Sequence, residues 1–156
     1  VVNFVDIPGL MIGVEAEKAG TLRHGGRALA TVYQATVPWC TVIVRKAFGV
    51  AAGGMSNHTR FKYRYAWPSG DWGSLPIEGG IEVAYKAQLD AADDRDAARR
   101  EITERLNRVR SPFRTAEKFG VEEIIAPSET RALLCEFANL AAPLRKVGRV
   151  GFGFRP

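Results

Sequence analysis

Trp39-Cys40-Thr41-Val42-Ile43-Val44 runs through Arg45-Lys46-Ala47-Phe48 into Gly49-Val50-Ala51-Ala52-Gly53-Gly54-Met55. The first six residues form an apolar, β-branched run that reads as a buried strand. A strand that ends in small residues and then opens a helix leaves main-chain N–H groups without internal acceptors. Small side chains let an anionic atom reach those donors, and the helix dipole favours it there. The same donors stabilise a carbonyl oxygen as it gains negative charge, which is oxyanion-hole chemistry. From its glycines alone, the simpler account is a tight turn packed on a neighbouring helix. The segment is neither a Walker A nor a GxGxxG string, so nucleotide phosphates are not favoured.

Outward from this stretch, strands and helices alternate. Residues 1–5 are an apolar run ending at Asp6-Ile7-Pro8-Gly9, a buried strand that stops at a turn. Residues 15–35 read as one helix with Leu22, Leu29, Val32 and Tyr33 on one face. Gly25 and Gly26 would let another backbone approach it, and Val37-Pro38 ends it. Downstream, 63–67 is a third strand running into Pro68-Ser69-Gly70. From about Glu78 a long helical stretch places Ile81, Tyr85 and Leu89, then Ile102, Leu106 and Val109, on one face. Asp93-Asp94-Arg95-Asp96 is a polar break in it, and Glu101 with Arg105 and Glu104 with Arg108 are expected i,i+4 ion pairs. Ser111-Pro112 starts a short helix over 113–118, closed by Gly120; 121–125 is a strand, and Ser128-Glu129-Thr130-Arg131 opens a last helix through Leu140. This order predicts an α/β layered domain.

The bulk numbers narrow the setting. With 156 residues, 46% of them hydrophobic and 25% charged, the chain has the size and composition of one globular domain with a real core. No apolar run approaches the ~18 residues of a membrane span. Val1-Val2-Asn3-Phe4-Val5 lacks the basic start and cleavage site of a signal peptide. It opens directly in a strand without an initiator Met, which suggests a piece of a longer polypeptide. The 22 basic and 17 acidic residues give +5, which favours anionic partners: nucleic acid, an acidic membrane or the phosphates of coenzyme A. Much of the excess lies in Arg145, Lys146, Arg149 and Arg155, read as a solvated basic tail over 144–156 behind a domain over 1–143. Cys40 and Cys135 form no CxxC, and His24 and His58 are too few for a zinc site. No metal is expected, and the setting is a reduced, cytoplasmic one.

Side-chain catalysis has no obvious seat. No GxSxG elbow occurs. His24 falls inside a helical stretch, and Glu15 and Glu17 sit near a helix start, where the dipole alone accounts for acids. A mechanism built on backbone donors would leave this silence.

Several segments taken together resemble the C-terminal domain of the carboxyltransferase β subunit of biotin-dependent acyl-CoA carboxylases, a family that includes the propionyl-, acetyl- and methylcrotonyl-CoA carboxylases. They are Val5-Asp6-Ile7-Pro8-Gly9-Leu10-Met11-Ile12-Gly13, Arg23-His24-Gly25, Ala35-Thr36-Val37-Pro38, Val42-Ile43-Val44-Arg45-Lys46-Ala47-Phe48-Gly49 and Ala66-Trp67-Pro68. Ser111-Pro112-Phe113-Arg114-Thr115-Ala116-Glu117 and Val121-Glu122-Glu123-Ile124-Ile125-Ala126-Pro127-Ser128-Glu129-Thr130-Arg131 complete the series in family order.

The resemblance implies a crotonase-like spiral of ββα units, of which this chain holds the later part of the second copy and lacks the first elements. It implies that this copy binds biotin borne on a carrier protein, while an N-terminal carboxyltransferase domain, from another subunit of a hexamer, binds the acyl-coenzyme A thioester. A biotin carboxylase and a biotin carboxyl carrier subunit are the implied partners. By position the family's biotin-side oxyanion hole falls on the main-chain N–H groups of Val50 and Ala51, with Pro8, Gly9, Phe48, Gly49 and Gly53 around biotin. Biotin N1, once freed of its carboxyl group, is then the base, and no side-chain base is required. The chain departs from many members in carrying Val50 where glycine stands, and from propionyl-type members in lacking an Asp near Gly53. Asp90 to Arg110 is also a longer charged stretch than in the best-known members. The acyl group is left open. Two other readings are a biotin-independent crotonase-fold hydratase or decarboxylase, which needs Glu15 or Glu17 near the turn, and a non-catalytic interaction module. The latter rests on the tail and on Gly151-Phe152-Gly153-Phe154-Arg155, where aromatics between arginines resemble a base-stacking pattern.

Overall fold

The computed structural model describes residues 1–54, 61–74, 76–117 and 120–145, with main chain alone at 78 and 115. In chain order its elements are β1 (Val2–Ile7), α1 (Val14–Lys18), α2 (Thr21–Gln34), β2 (Trp39–Phe48), α3 (Gly49–Gly53), β3 (Lys62–Ala66) and β4 (Asp71–Gly73). Then come α4 (Ile77–Ala84), α5 (Lys86–Asp90), α6 (Arg95–Val109), α7 (Pro112–Glu117), β5 (Glu123–Ile124) and α8 (Thr130–Ala141). His58, Met55 and the tail from Lys146, with its Phe152 and Phe154, lie outside the described residues.

Every strand pairing is parallel, in the order β1-β2-β3-β5, with β4 joining β2. β2 is the central strand, and its consecutive residues Cys40, Thr41 and Val42 are all buried. A strand covered on both faces reads as a continuous apolar run, which is why the β-branched stretch was legible. Its even face packs Cys40 and Val42 with Tyr65, Ile125, Phe137 and Ala141, so α8 closes that side of the sheet. Trp67 Nε1 donates to Thr130 Oγ1 at 2.9 Å and pins the start of α8 to the end of β3.

Two expected helices prove to be broken. The stretch 15–35 divides into α1 and α2 at Gly20, whose φ of 72° is left-handed and free of strain only for glycine. The long downstream stretch becomes α4, α5 and α6: the expected polar break falls between α5 and α6, a further break at Tyr85 parts α4 from α5, and Ile81, Leu89 and Ile102 are buried in a second small core. Asp94, within the polar break, caps α6 by accepting from the Ala97 N–H at 2.9 Å, worth about 1 kcal/mol. The expected pairs Glu101–Arg105 and Glu104–Arg108 do not form among the described residues. Arg105 lies over the Tyr85 ring instead, at 5.4 Å. Arg95 reaches back to Glu82 and Asp90, tying α6 to α4 and α5.

The two cysteines differ sharply. Burial, with the charge of Glu122 adding to it, pushes the Cys40 thiol up to about 11, whereas Cys135 is exposed on α8. Only the thiolate reacts readily. An alkylating reagent at mild alkaline pH should therefore modify Cys135 in the folded chain and Cys40 only after denaturation. Peptide mass spectrometry checks this, and rapid labelling of Cys40 in the native protein would contradict the packing.

Candidate functional site

β2 does not stay straight. Val5 pairs with Ile43 but Ile7 with Ala47, so β2 carries two extra residues opposite β1. That irregularity moves β2 from β3, which it meets over Trp39 to Ile43, to β4, which it meets over Lys46 to Phe48. Asp6 fills the bulge: its carboxylate accepts from the Lys46 N–H at 3.1 Å and from Arg45 Nη2 at 2.8 Å. Ser69 Oγ donates to the Val44 carbonyl at 2.7 Å on the other side.

Arg45, and then the Lys46 N–H, hold the Asp6 carboxyl below its ordinary 3.8. A carboxyl lowered in the fold favours folding above its unfolded value, and the benefit is lost as pH falls through the folded value. Wild type and Asp6→Asn should therefore differ in denaturation midpoint by a constant amount above about pH 5, and the gap should close as the solution is acidified. A gap that persists through pH 2 (or widens there) would contradict the clamp.

Beyond the bulge, Phe48 is extended at φ −113° and ψ 143°, and Gly49, at φ 63°, turns the chain into α3. The left-handed residue is the glycine, so the β-branched Val50 is tolerated one position later. Phe48 caps α3 without a side-chain hydrogen bond. The Val50 and Ala51 N–H groups stand in the first helical turn, where no intrahelical acceptor exists.

These two residues help line an apolar groove of about 300 Å3, with Ile7, Leu10 and the α2 residues Leu22, Gly25, Leu29 and Val32. The stripe expected on one face of this helix is thus the wall of an open groove, and Leu22 is 67% exposed. Nor do Gly25 and Gly26 admit a backbone. A Cβ on Gly25 would meet the Leu10 side chain at 3.3 Å, and one on Gly26 would meet nothing. The close approach is at Gly54, where a Cβ would lie 2.7 Å from Leu29 Cδ1. Of the described lining residues, Val50 and Ala51 were expected at the site, whereas Ile7, Leu10, Gly54 and the α2 residues were not. A glycine pair at the end of the turn was a signal for Gly54, and Leu10 carried none.

The other candidates fall as follows. Pro8 and Gly9 (φ 130°) form the loop between Ile7 and Leu10, beside the groove. Phe48 is wholly buried, so it offers main chain to the site and not its ring; Gly49 is exposed beside it. Gly53 lines a different cavity, of about 210 Å3, between α3 and the sheet face bearing Thr41, Ile43 and Ala47. Glu15, Glu17 and His24 are exposed and line neither space. The groove holds no titratable side chain among the described residues, and no cluster of three metal-ligating side chains occurs among them. No described helix is long and apolar enough to cross a membrane.

In this parallel sheet the turn after the central strand brings Val50 and Ala51 to the lining of an apolar groove. The chain belongs to the carboxyl transferase domain family, whose model matches residues 1–146. It is 36% identical over 148 residues to the carboxyltransferase subunit of a propionyl-CoA carboxylase from Haloferax mediterranei, covering 94% of this chain and 29% of that one. With the methylmalonyl-CoA carboxyltransferase 12S subunit of Propionibacterium freudenreichii subsp. shermanii it shares 36% over 147 residues, or 93% of this chain and 28% of the relative. A solved transcarboxylase 12S hexamer with methylmalonyl-coenzyme A bound superposes with a TM-score of 0.77 at 32% identity, over 99% of this chain and 30% of that one. The chain therefore spans less than a third of the length of these relatives. The crotonase-like α/β class expected from the sequence holds, as part of a domain.

Proposed function

We propose that this chain is the carboxybiotin-binding part of the carboxyltransferase component of a biotin-dependent acyl-CoA carboxylase. The observation that carries the reading is the pair of first-turn amides, Val50 and Ala51, on an apolar groove with no titratable group among the described residues that line it. Biotin fits such a groove, because its bicyclic head is apolar apart from the ureido group. When bound, carboxybiotin supplies the carboxyl group to be transferred. The Val50 and Ala51 N–H groups hold the ureido oxygen as negative charge grows on it, and the apolar walls exclude water that would weaken them. Pro8, Gly9, Phe48 and Gly49 shape the turn and the loop that face the ring, and Gly53 backs the turn. The domain spans 1–143, with 144–156 as a basic tail.

An acyl-CoA-binding carboxyltransferase half, a biotin carboxyl carrier and a biotin carboxylase are the partners in this reading, assembled as a hexamer in the cytoplasm. Leu22 in the groove wall and Met11, Ile12 and Val14, which follow the lining residue Leu10 in the chain, are exposed apolar side chains that support docking of a second half there. Alone, this chain is inactive in the proposal. The hydratase alternative gains no support, because Glu15 and Glu17 stand outside the groove.

The test is reverse transfer by the native assembly that contains this chain, supplied with malonyl- or methylmalonyl-CoA and free biocytin. Loss of the carboxyl group only when biocytin is present is the expected result. Equal turnover without biocytin would overturn the biotin reading.

A further inference from the structure

Arg110 closes α6 as its C-terminal cap. Its guanidinium makes a two-point pair with Asp71: Nε donates to Oδ1 at 2.7 Å and Nη2 donates to Oδ2. The two side chains are 18% and 28% exposed, well shielded compared with the surface ion pairs of α1 and α5. The same guanidinium carbon lies 5.4 Å from the centre of the Phe48 ring. A planar, delocalised cation suits both contacts at once, since it forks to a carboxylate and stacks on an aromatic face.

Phe48 is the residue on which the turn is built. It is wholly buried, caps α3 and precedes Gly49, Val50 and Ala51. Across the sheet it pairs with Gly73, where an added Cβ would come within 3.6 Å of the ring. Asp71 sits two residues before Gly73 on β4, fixed opposite Lys46. Arg110 thus grips the strand that flanks the turn and the ring that anchors it. The sequence marked neither partner: Asp71 lies in a strand too short to read, and Arg110 follows a helix whose charges looked wholly solvated.

We propose that Arg110, held by Asp71, is a positioning residue that fixes Phe48 and so the direction of the Val50 and Ala51 N–H groups. This rests on the carboxyl-transfer reading for its consequence in turnover, but its structural half stands apart from that reading. Misplacing donors by a fraction of an ångström costs rate and leaves the remote binding of acyl-CoA untouched. The pair also couples the helical excursion α4–α6 to the turn, so a partner that displaces α6 would alter the donors without entering the groove.

The experiment compares wild type, Arg110→Lys and the double variant Arg110→Met with Asp71→Asn, the last of which removes both charges of the pair together. Hydrogen exchange by mass spectrometry is read on the peptide spanning 48–54, with α8 as the internal reference. Carboxyl transfer is read in the native assembly. In the double variant, exchange of the turn should rise about tenfold while α8 is unchanged, and kcat should fall about 10-fold to 100-fold with KM for acyl-CoA unchanged. Arg110→Lys keeps the charge and should lie between. Unchanged exchange in 48–54 overturns the proposal, and so does raised exchange with an unchanged kcat. Exchange and turnover that both fail across the whole molecule, α8 included, overturn it in favour of a merely structural pair. If wild type has no biocytin-dependent turnover, the carboxyl-transfer reading falls, and exchange alone still decides whether Arg110 orders the turn.

Discussion

Ala51→Pro should lower biocytin-dependent turnover about 100-fold to 1,000-fold, the loss that follows removal of one oxyanion donor, or about 3–4 kcal/mol. Proline at 51 deletes one of the two N–H groups proposed as donors. No titratable side chain among the described residues lines the groove to substitute for it. Ala51→Gly is the control, because it keeps the donor and costs only the greater backbone freedom, about 1 kcal/mol. Steady-state kinetics on the native assembly separates the two. Equal losses for proline and glycine would show that packing at this buried position, and not the N–H, controls the rate.

Phe137→Ala should remove about 3–5 kcal/mol of stability while leaving turnover per folded molecule near wild type. Phe137 is 4% exposed and is the centre of the contact that seats α8 on the sheet. Its ring stacks on Phe61 at 5.9 Å and 10° and meets Tyr63 edge-on at 5.9 Å and 78°. Truncation leaves a cavity among rings that are too rigid to collapse into it. This core lies on the opposite face of the sheet from Thr41 and Ile43, so a stability loss need not reach the turn. Denaturant titration gives the first quantity, and activity scaled to the folded fraction gives the second. A large fall in kcat at full folding would mean that α8 and the turn are coupled.

Those two variants divide the molecule as the sequence did, into a readable core and a less readable site. β2 was legible because a strand covered on both faces carries apolar or β-branched residues at consecutive positions, and Cys40 to Val44 supply them, Thr41 being the polar member of the run. The turn after it was legible through Gly49 and its small neighbours. Gly20 was not seen as a break, since periodicity counts apolar spacing and takes no account of a single left-handed residue between two helical runs. β4 escaped because three residues carry no period; Asp71-Trp72-Gly73 becomes a strand only where the bulge in β2 presents a free edge. The groove escaped for a related reason. An apolar stripe such as Leu22, Leu29 and Val32 looks the same whether it faces a core or an open cleft, and only the tertiary fold distinguishes them.

The account turns on where the ureido oxygen of biotin rests. The most direct measurement is the infrared stretch of a 13C-labelled ureido carbonyl in biocytin bound to the native assembly, in wild type and in Ala51→Pro. Donors aimed at that oxygen shift the band below its frequency in water, and the account expects this shift in wild type and its loss in the variant. A band at the water frequency in wild type, or the same shifted band in both proteins, would contradict it and place the oxygen away from Val50 and Ala51.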